Sequence, residues 1–206
     1  MKLSIACMSL LTLCLTGVPA FAQQDLYDNG PTNGTVSGWT FNLGFTPSDS
    51  FTLNSSATVN GLQFAAWLMS GDVLQSAEVS ITSDELGGTV FFDQTVNFIQ
   101  SGCVTNQLGF NVCDETGSLS PTNLNAGTYW LTLQNGVVSN GNDPVYWDQN
   151  GGPSEASETS LGSIPSESFT ILGSGSGTGT TPEPSSIVLF ASAIGAFQLV
   201  RRKFSV

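Results

Sequence analysis

Ala77-Glu78-Val79-Ser80-Ile81-Thr82 places an apolar side chain at every second position and a polar one between each pair. Successive side chains of an extended strand point to opposite faces, so this stretch makes one dry face and one wet face. A helix would scatter Ala77, Val79 and Ile81 around its circumference. Tyr129, Leu131 and Leu133 alternate with Trp130, Thr132 and Gln134 in the same way. Outward from these two segments, short apolar runs separated by Gly, Asn, Pro and Ser predict further strands at 35–41, 50–53, 58–69, 89–93, 96–99, 109–112, 145–147 and 168–172. Within the third of these, Leu62 to Met69 lacks clean alternation and fits a short helix or a buried strand, the strand being preferred. About nine or ten strands with a turn signal every dozen residues or so predict an all-β fold, an antiparallel two-sheet sandwich of jelly-roll-like topology.

Charge narrows the chemistry. The chain has 206 residues, no histidine and four basic residues, Lys2, Arg201, Arg202 and Lys203, all at its ends. Of its 16 acidic residues only Glu183 lies beyond Thr181, so fifteen (16 − 1) fall between Gln23 and Thr181 with no cation among them. Nucleic-acid binding needs Lys or Arg against phosphates, so no nucleic-acid partner is expected. Ser-His-Asp and Cys-His catalysis lack their base, Schiff-base chemistry lacks its lysine, and a zinc site lacks imidazole. Binding, scaffolding, calcium and purely carboxylate catalysis remain.

The termini read as addresses. Lys2, the apolar stretch from Leu3 to Val18 and the small residues Ala20 and Ala22 form a secretory signal peptide over 1–22, an N-terminal signal helix removed before Gln23. The acidic domain is expected over 23–172, followed by a Gly/Ser/Thr linker over 173–181. Pro182-Glu183-Pro184, an apolar membrane helix over 185–200 and the basic cap Arg201-Arg202-Lys203 then close the chain over 182–206. The apolar run from Ile187 to Val200 is short against the roughly 20 residues of an independent span, and the cations after it favour a cytoplasmic end.

That order of motif, short helix and basic end resembles the PEP-CTERM sorting signal of bacteria, which an exosortase recognises. The likeness covers 182–206; Thr181 stands where valine is common, and Gln198 interrupts the apolar run. The resemblance implies transient anchoring in the inner membrane, cleavage near Pro182-Glu183-Pro184, and delivery to the cell surface or extracellular matrix, often beside exopolysaccharide. Exosortase and the secretion machinery are the partners it implies.

With Cys7 and Cys14 in the signal segment, Cys103 and Cys113 remain as a pair, and in an oxidising compartment they are expected to form a disulfide. For binding, Tyr146-Trp147-Asp148-Gln149-Asn150-Gly151-Gly152-Pro153-Ser154 combines aromatic faces, an acid, amides and a turn in one segment, and Trp130 falls on the polar register of its strand. Tyr146, Trp147, Asp148, Asn150 and Trp130 are therefore candidate carbohydrate contacts, with plain packing the competing reading. Asp143 and Asp148 are the candidate Ca2+ ligands among the Asx-rich stretches, which also include Asp25, Asp28, Asn29 and Asn142; solvated surface acids are the alternative. Asp148 and Glu155 make a nominal carboxylate pair for glycoside hydrolysis, but no other signature supports them and no catalytic residue is assigned. The function expected is a structural or adhesive envelope or matrix component, the alternative a carbohydrate-binding lectin-like module that works with or without calcium.

Overall fold

A computed structural model describes residues 23–175. Twelve strands follow one another: β1 Gln24–Asp28, β2 Gly38–Thr40, β3 Pro47–Leu53, β4 Ala57–Leu68, β5 Leu74–Asp84, β6 Gly87–Thr105, β7 Asn111–Leu124, β8 Gly127–Val138, β9 Tyr146–Asp148, β10 Ala156–Glu158, β11 Gly162–Ile164 and β12 Phe169–Gly175. All pairings are antiparallel, in the order β1-β12-β4-β7-β6-β5-β8-β3-β10-β11, with β9 joining β4 and β2 joining β9. The expected antiparallel all-β architecture is what the described residues form. The expectations on 1–22 and 176–206, which include the signal helix, the membrane helix, Pro182, Glu183, Pro184 and the Arg201-Arg202-Lys203 cap, lie outside the described residues.

The sheet curls on β6. Its first half, to Asn97, pairs with β5, and from Phe98 onward it pairs with β7. Gly117 sits at that change of partner, where a Cβ would lie 2.6 Å from the Phe98 ring and 2.7 Å from Val96. Only glycine lets the two halves come this close. The curl sets Ala77, Val79, Ile81, Leu131 and Leu133 of one half against Val59, Leu62, Phe64, Phe169 and Ile171 of the other in one buried cluster. Aromatic edges span the gap: Phe51 of β3 meets Phe169 of β12 at 6.4 Å between ring centroids, interplanar 79°. A smaller cluster on the outer side of β4 holds Ala65, Trp67 and Val112, with Phe110 and Tyr146 packed against it.

The segment from Leu62 is a strand, β4, paired with β7 through Leu68 and with β12 along Phe64 to Ala57. The strands expected at 89–93 and 96–99 are one element, β6, because Gln94 and Thr95 are exposed and continue the ladder to β5. β7 carries Pro121 beyond Gly117, where its pairing with β6 ends, so the missing N–H costs no bond on that side. β12 runs to Gly175, with Gly173, Ser174 and Gly175 opposite Val59, Thr58 and Ala57. The domain thus extends three residues past the boundary placed at Leu172. Cys103 and Cys113 form a disulfide across the β6–β7 hairpin, Cα to Cα 4.0 Å.

Candidate functional site

Along one edge of β4, β12 stops opposite Phe64 and β9 takes over at Ala66 and Trp67. At this seam the segments after β1, after β9 and before β12 converge. Trp147 of β9 points into the core, fully buried against Phe64 and Phe169, and its indole N–H donates to Ser168 O at 2.9 Å. Its neighbour Asp148 points the other way and is equally buried. Asp148 Oδ2 accepts from Asn33 N at 2.7 Å, while Oδ1 accepts from Gly34 N at 2.8 Å and Trp67 Nε1 at 2.7 Å. Asp148 is the clasp that holds the loop after β1 onto the sheet.

Beside it lies a buried polar cluster that bridges the two halves of the sheet. Asp49 of β3, inward-facing like Phe51, reaches across so that Oδ2 accepts from Glu167 N at 2.7 Å and from Asn29 Nδ2 at 3.3 Å. Asn29 Nδ2 is also 2.7 Å from Ser154 Oγ, 2.7 Å from Ser166 Oγ and 2.6 Å from Glu167 O. Asn150 closes the cluster, donating from Nδ2 to Asn29 O at 2.8 Å and accepting on Oδ1 from Ser166 Oγ at 3.2 Å. Gly152 fits because it has no side chain: a Cβ there would collide with the Asn29 carbonyl and lie 2.8 Å from Ser166 Oγ. Above the cluster an open cleft of about 650 Å³ separates the loop 28–33 from the turn 150–153.

This cluster is rich in acid and lacks any counter-charge. Asp49 Oδ1 and both carboxyl oxygens of Glu167 are buried with no partner. Burial pushes Asp49 up to about 7, its bonds from Ser154, Glu167, Ser50 and Ser166 offsetting part of the rise. Burial, with the charges of Asp49 and Asp148 added, drives Glu167 well above the usual carboxylate range. Tyr27, whose hydroxyl donates to Asn29 Oδ1, is pushed to about 12 by burial and then by Asp49. A further inward acid, Glu115 of β7, has neither oxygen paired and is pushed to about 8 by burial and then by Asp114. Glu158 goes the other way: burial raises it, but bonds from Ser160, Thr159 and the Thr46 N–H outweigh that and hold it at about 2.

The candidates read from the sequence separate here. Asn150 belongs to the cluster, and the two Asx-rich stretches around Asn29 and Asp148 are brought together. Trp147 is wholly inside and offers no ring face to a ligand, which corrects its place among the carbohydrate contacts. Tyr146 is half-buried, its ring edge-on to Phe110 at 5.5 Å, and Trp130 is half-buried between Ser50 and Thr82. Asp143 and Asp148 share no hydrogen-bond partner: Asp143 closes a turn with Asn140, while both Asp148 oxygens are taken by N–H donors. Those donors also leave Asp148 ill-suited to pair with exposed Glu155. Ser154 ends the candidate segment that starts at Tyr146, whereas Asp49, Ser166 and Glu167 were not among the candidates. Glu167, flanked by Ser166 and Ser168 at the start of an apolar strand, carries no sequence signal that separates a buried acid from a solvated one. No family model matches the chain, and no curated protein matches it.

Proposed function

We propose that the chain is an exported structural or adhesive component of a bacterial envelope or extracellular matrix. On this reading the secretion machinery removes 1–22, the apolar run after Pro184 anchors the chain briefly in the inner membrane, and an exosortase cuts near Pro182-Glu183-Pro184. The domain delivered is a jelly-roll-like sandwich that contributes an acidic surface, in some settings beside exopolysaccharide. One observation carries the reading: a disulfide-bridged β domain whose charged side chains, over residues 23–175, are all carboxylates. Such a surface repels its own copies and nucleic acid, and favours cation-rich or hydrated surroundings. The test is the intact mass of the protein recovered from the medium of a bacterium that expresses it with an exosortase. Loss of both terminal segments supports the proposal, and a full-length cytosolic product overturns it.

A lectin-like module is the second reading, favoured by the open polar cleft between 28–33 and 150–153. Saturable binding to a defined sugar on a glycan array, in calcium or in chelator, supports it. Silence under both conditions leaves the scaffold.

A further inference from the structure

Asn29 Nδ2 has four oxygens within 3.3 Å, supplied by Asp49, Ser154, Ser166 and Glu167, yet an amide nitrogen carries two hydrogens. The nitrogen stands inside a cage of oxygen acceptors built from three separate segments. Asn150 Oδ1 adjoins the cage through Ser166. One acid, Asp49, fully buried, enters it with Oδ2 while its Oδ1 has no partner. Glu167, also fully buried, contributes its backbone carbonyl, and its carboxyl has no partner either. Over 23–175 the chain offers no Lys, Arg or His to compensate these acids, so compensation must come from protons or from a bound cation.

We propose that this cage is a binding site for a divalent cation of the calcium class, with Asp49 as the anionic ligand. All the donors are oxygens, the hard set that calcium takes in six- to eightfold coordination. Rotating the Asn29 amide about its last torsion puts Oδ1 toward the cage and leaves Nδ2 donating to the Tyr27 hydroxyl, which now donates to Oδ1. The side chain must also withdraw by about one metal–oxygen bond, roughly 2.4 Å, and the cleft beside Asn29 and Asn150 is open to receive it. The neutral oxygens stand 2.6–2.7 Å from the central position and Asp49 Oδ2 at 3.3 Å, so the acid must close by roughly 0.7–1 Å to reach calcium's 2.3–2.6 Å, and the whole cage must contract further for magnesium's 2.0–2.1 Å. Among the described residues no group of three or more His, Cys, Asp or Glu is placed to hold a metal. This cage works instead with one carboxylate and neutral oxygens, so its affinity belongs to the weak extracellular range, with Kd about 10⁻⁴–10⁻³ M.

This inference does not rest on the envelope reading. The full chain, stripped with chelator, is melted at fixed ionic strength in 10 mM calcium chloride, in 10 mM magnesium chloride and in chelator. Calcium alone should raise Tm by about 3–5 °C. Asp49→Asn should lose this response. Ser154→Ala, which removes one neutral oxygen of the cage, should shift the calcium midpoint several-fold upward, whereas Asp143→Asn should leave it unchanged. An unmoved Tm in the parent protein overturns the proposal. So does an equal shift in magnesium, which marks general screening of surface acids, or a calcium midpoint that Ser154→Ala leaves in place. A secreted, correctly trimmed protein that ignores calcium sinks this inference alone.

Discussion

Asp148 shows how much one side chain can organise when it is the only acceptor available. It takes three N–H donors from the loop after β1 and from Trp67, with no solvent in reach. Asp148→Ala strands all three, and the cost expected is about 3–5 kcal/mol, read as a fall in the urea midpoint with the slope unchanged. Gly152→Ala should cost about 2–3 kcal/mol for a different reason, the collision of its methyl group with Asn29 and Ser166, measured in the same denaturation experiment. Both residues were visible as types in the sequence, an acid beside a Trp and a glycine in a turn, but their roles were not. Asp148 looked like a ligand-binding acid because its partners lie more than eighty residues away along the chain, at Trp67, or more than a hundred, at Asn33 and Gly34. Asp49 had no signal at all, since Pro47-Ser48-Asp49 lies just ahead of the strand expected at 50–53 with no apolar alternation of its own, and it is part of that buried strand.

At the level of elements, local alternation decided what could be read. β5 and β8 each keep an apolar face against the core, and their patterns in sequence are clean. β1 and β11 were missed because they are short and lie at the ends of the strand order, where pairing rather than side-chain burial makes the strand, and β10 because its three residues, though buried, are too few to show an alternation. The β6–β7 hairpin is the exception, pinned by its disulfide as spacing and compartment foretold. Replacing Cys103 with Ser and Cys113 with Ala should lower stability by about 3 kcal/mol on the chain-entropy account, and titration of the unreduced, denatured parent should find no free thiol among these two. Glu115 tests the same hairpin from inside. As an unpaired acid facing the core, its replacement in Glu115→Leu should stabilise the domain by about 1–3 kcal/mol at pH 8 and by less at pH 4, where the charge is largely gone from both states and only the unpaired neutral carboxyl is relieved.

For the whole molecule, the absence of cations over 23–175 turns buried acids into proton sites. Asp49, Glu115 and Glu167 have folded values above their unfolded ones, so between about pH 4 and pH 8 the folded state binds more protons than the unfolded. Their contribution to the free energy of unfolding therefore falls as pH rises through this window, and each unit of separation is worth about 1.4 kcal/mol. Glu158 acts in the opposite sense, its contribution present above its unfolded value of 4.5 and lost as pH falls toward about 2. Stability should peak in mildly acidic solution, and salt should raise it further at pH 8 by screening the exposed carboxylates. A domain of this kind is suited to an environment whose protons and cations it borrows. Carboxyl carbon NMR of the full chain in calcium-free buffer tests this most directly. The account predicts an aspartate signal titrating near 7, a glutamate near 8 and a second glutamate well above the usual carboxylate range. Carboxyl signals that all titrate between about 3 and 5, in a protein still folded, would contradict it.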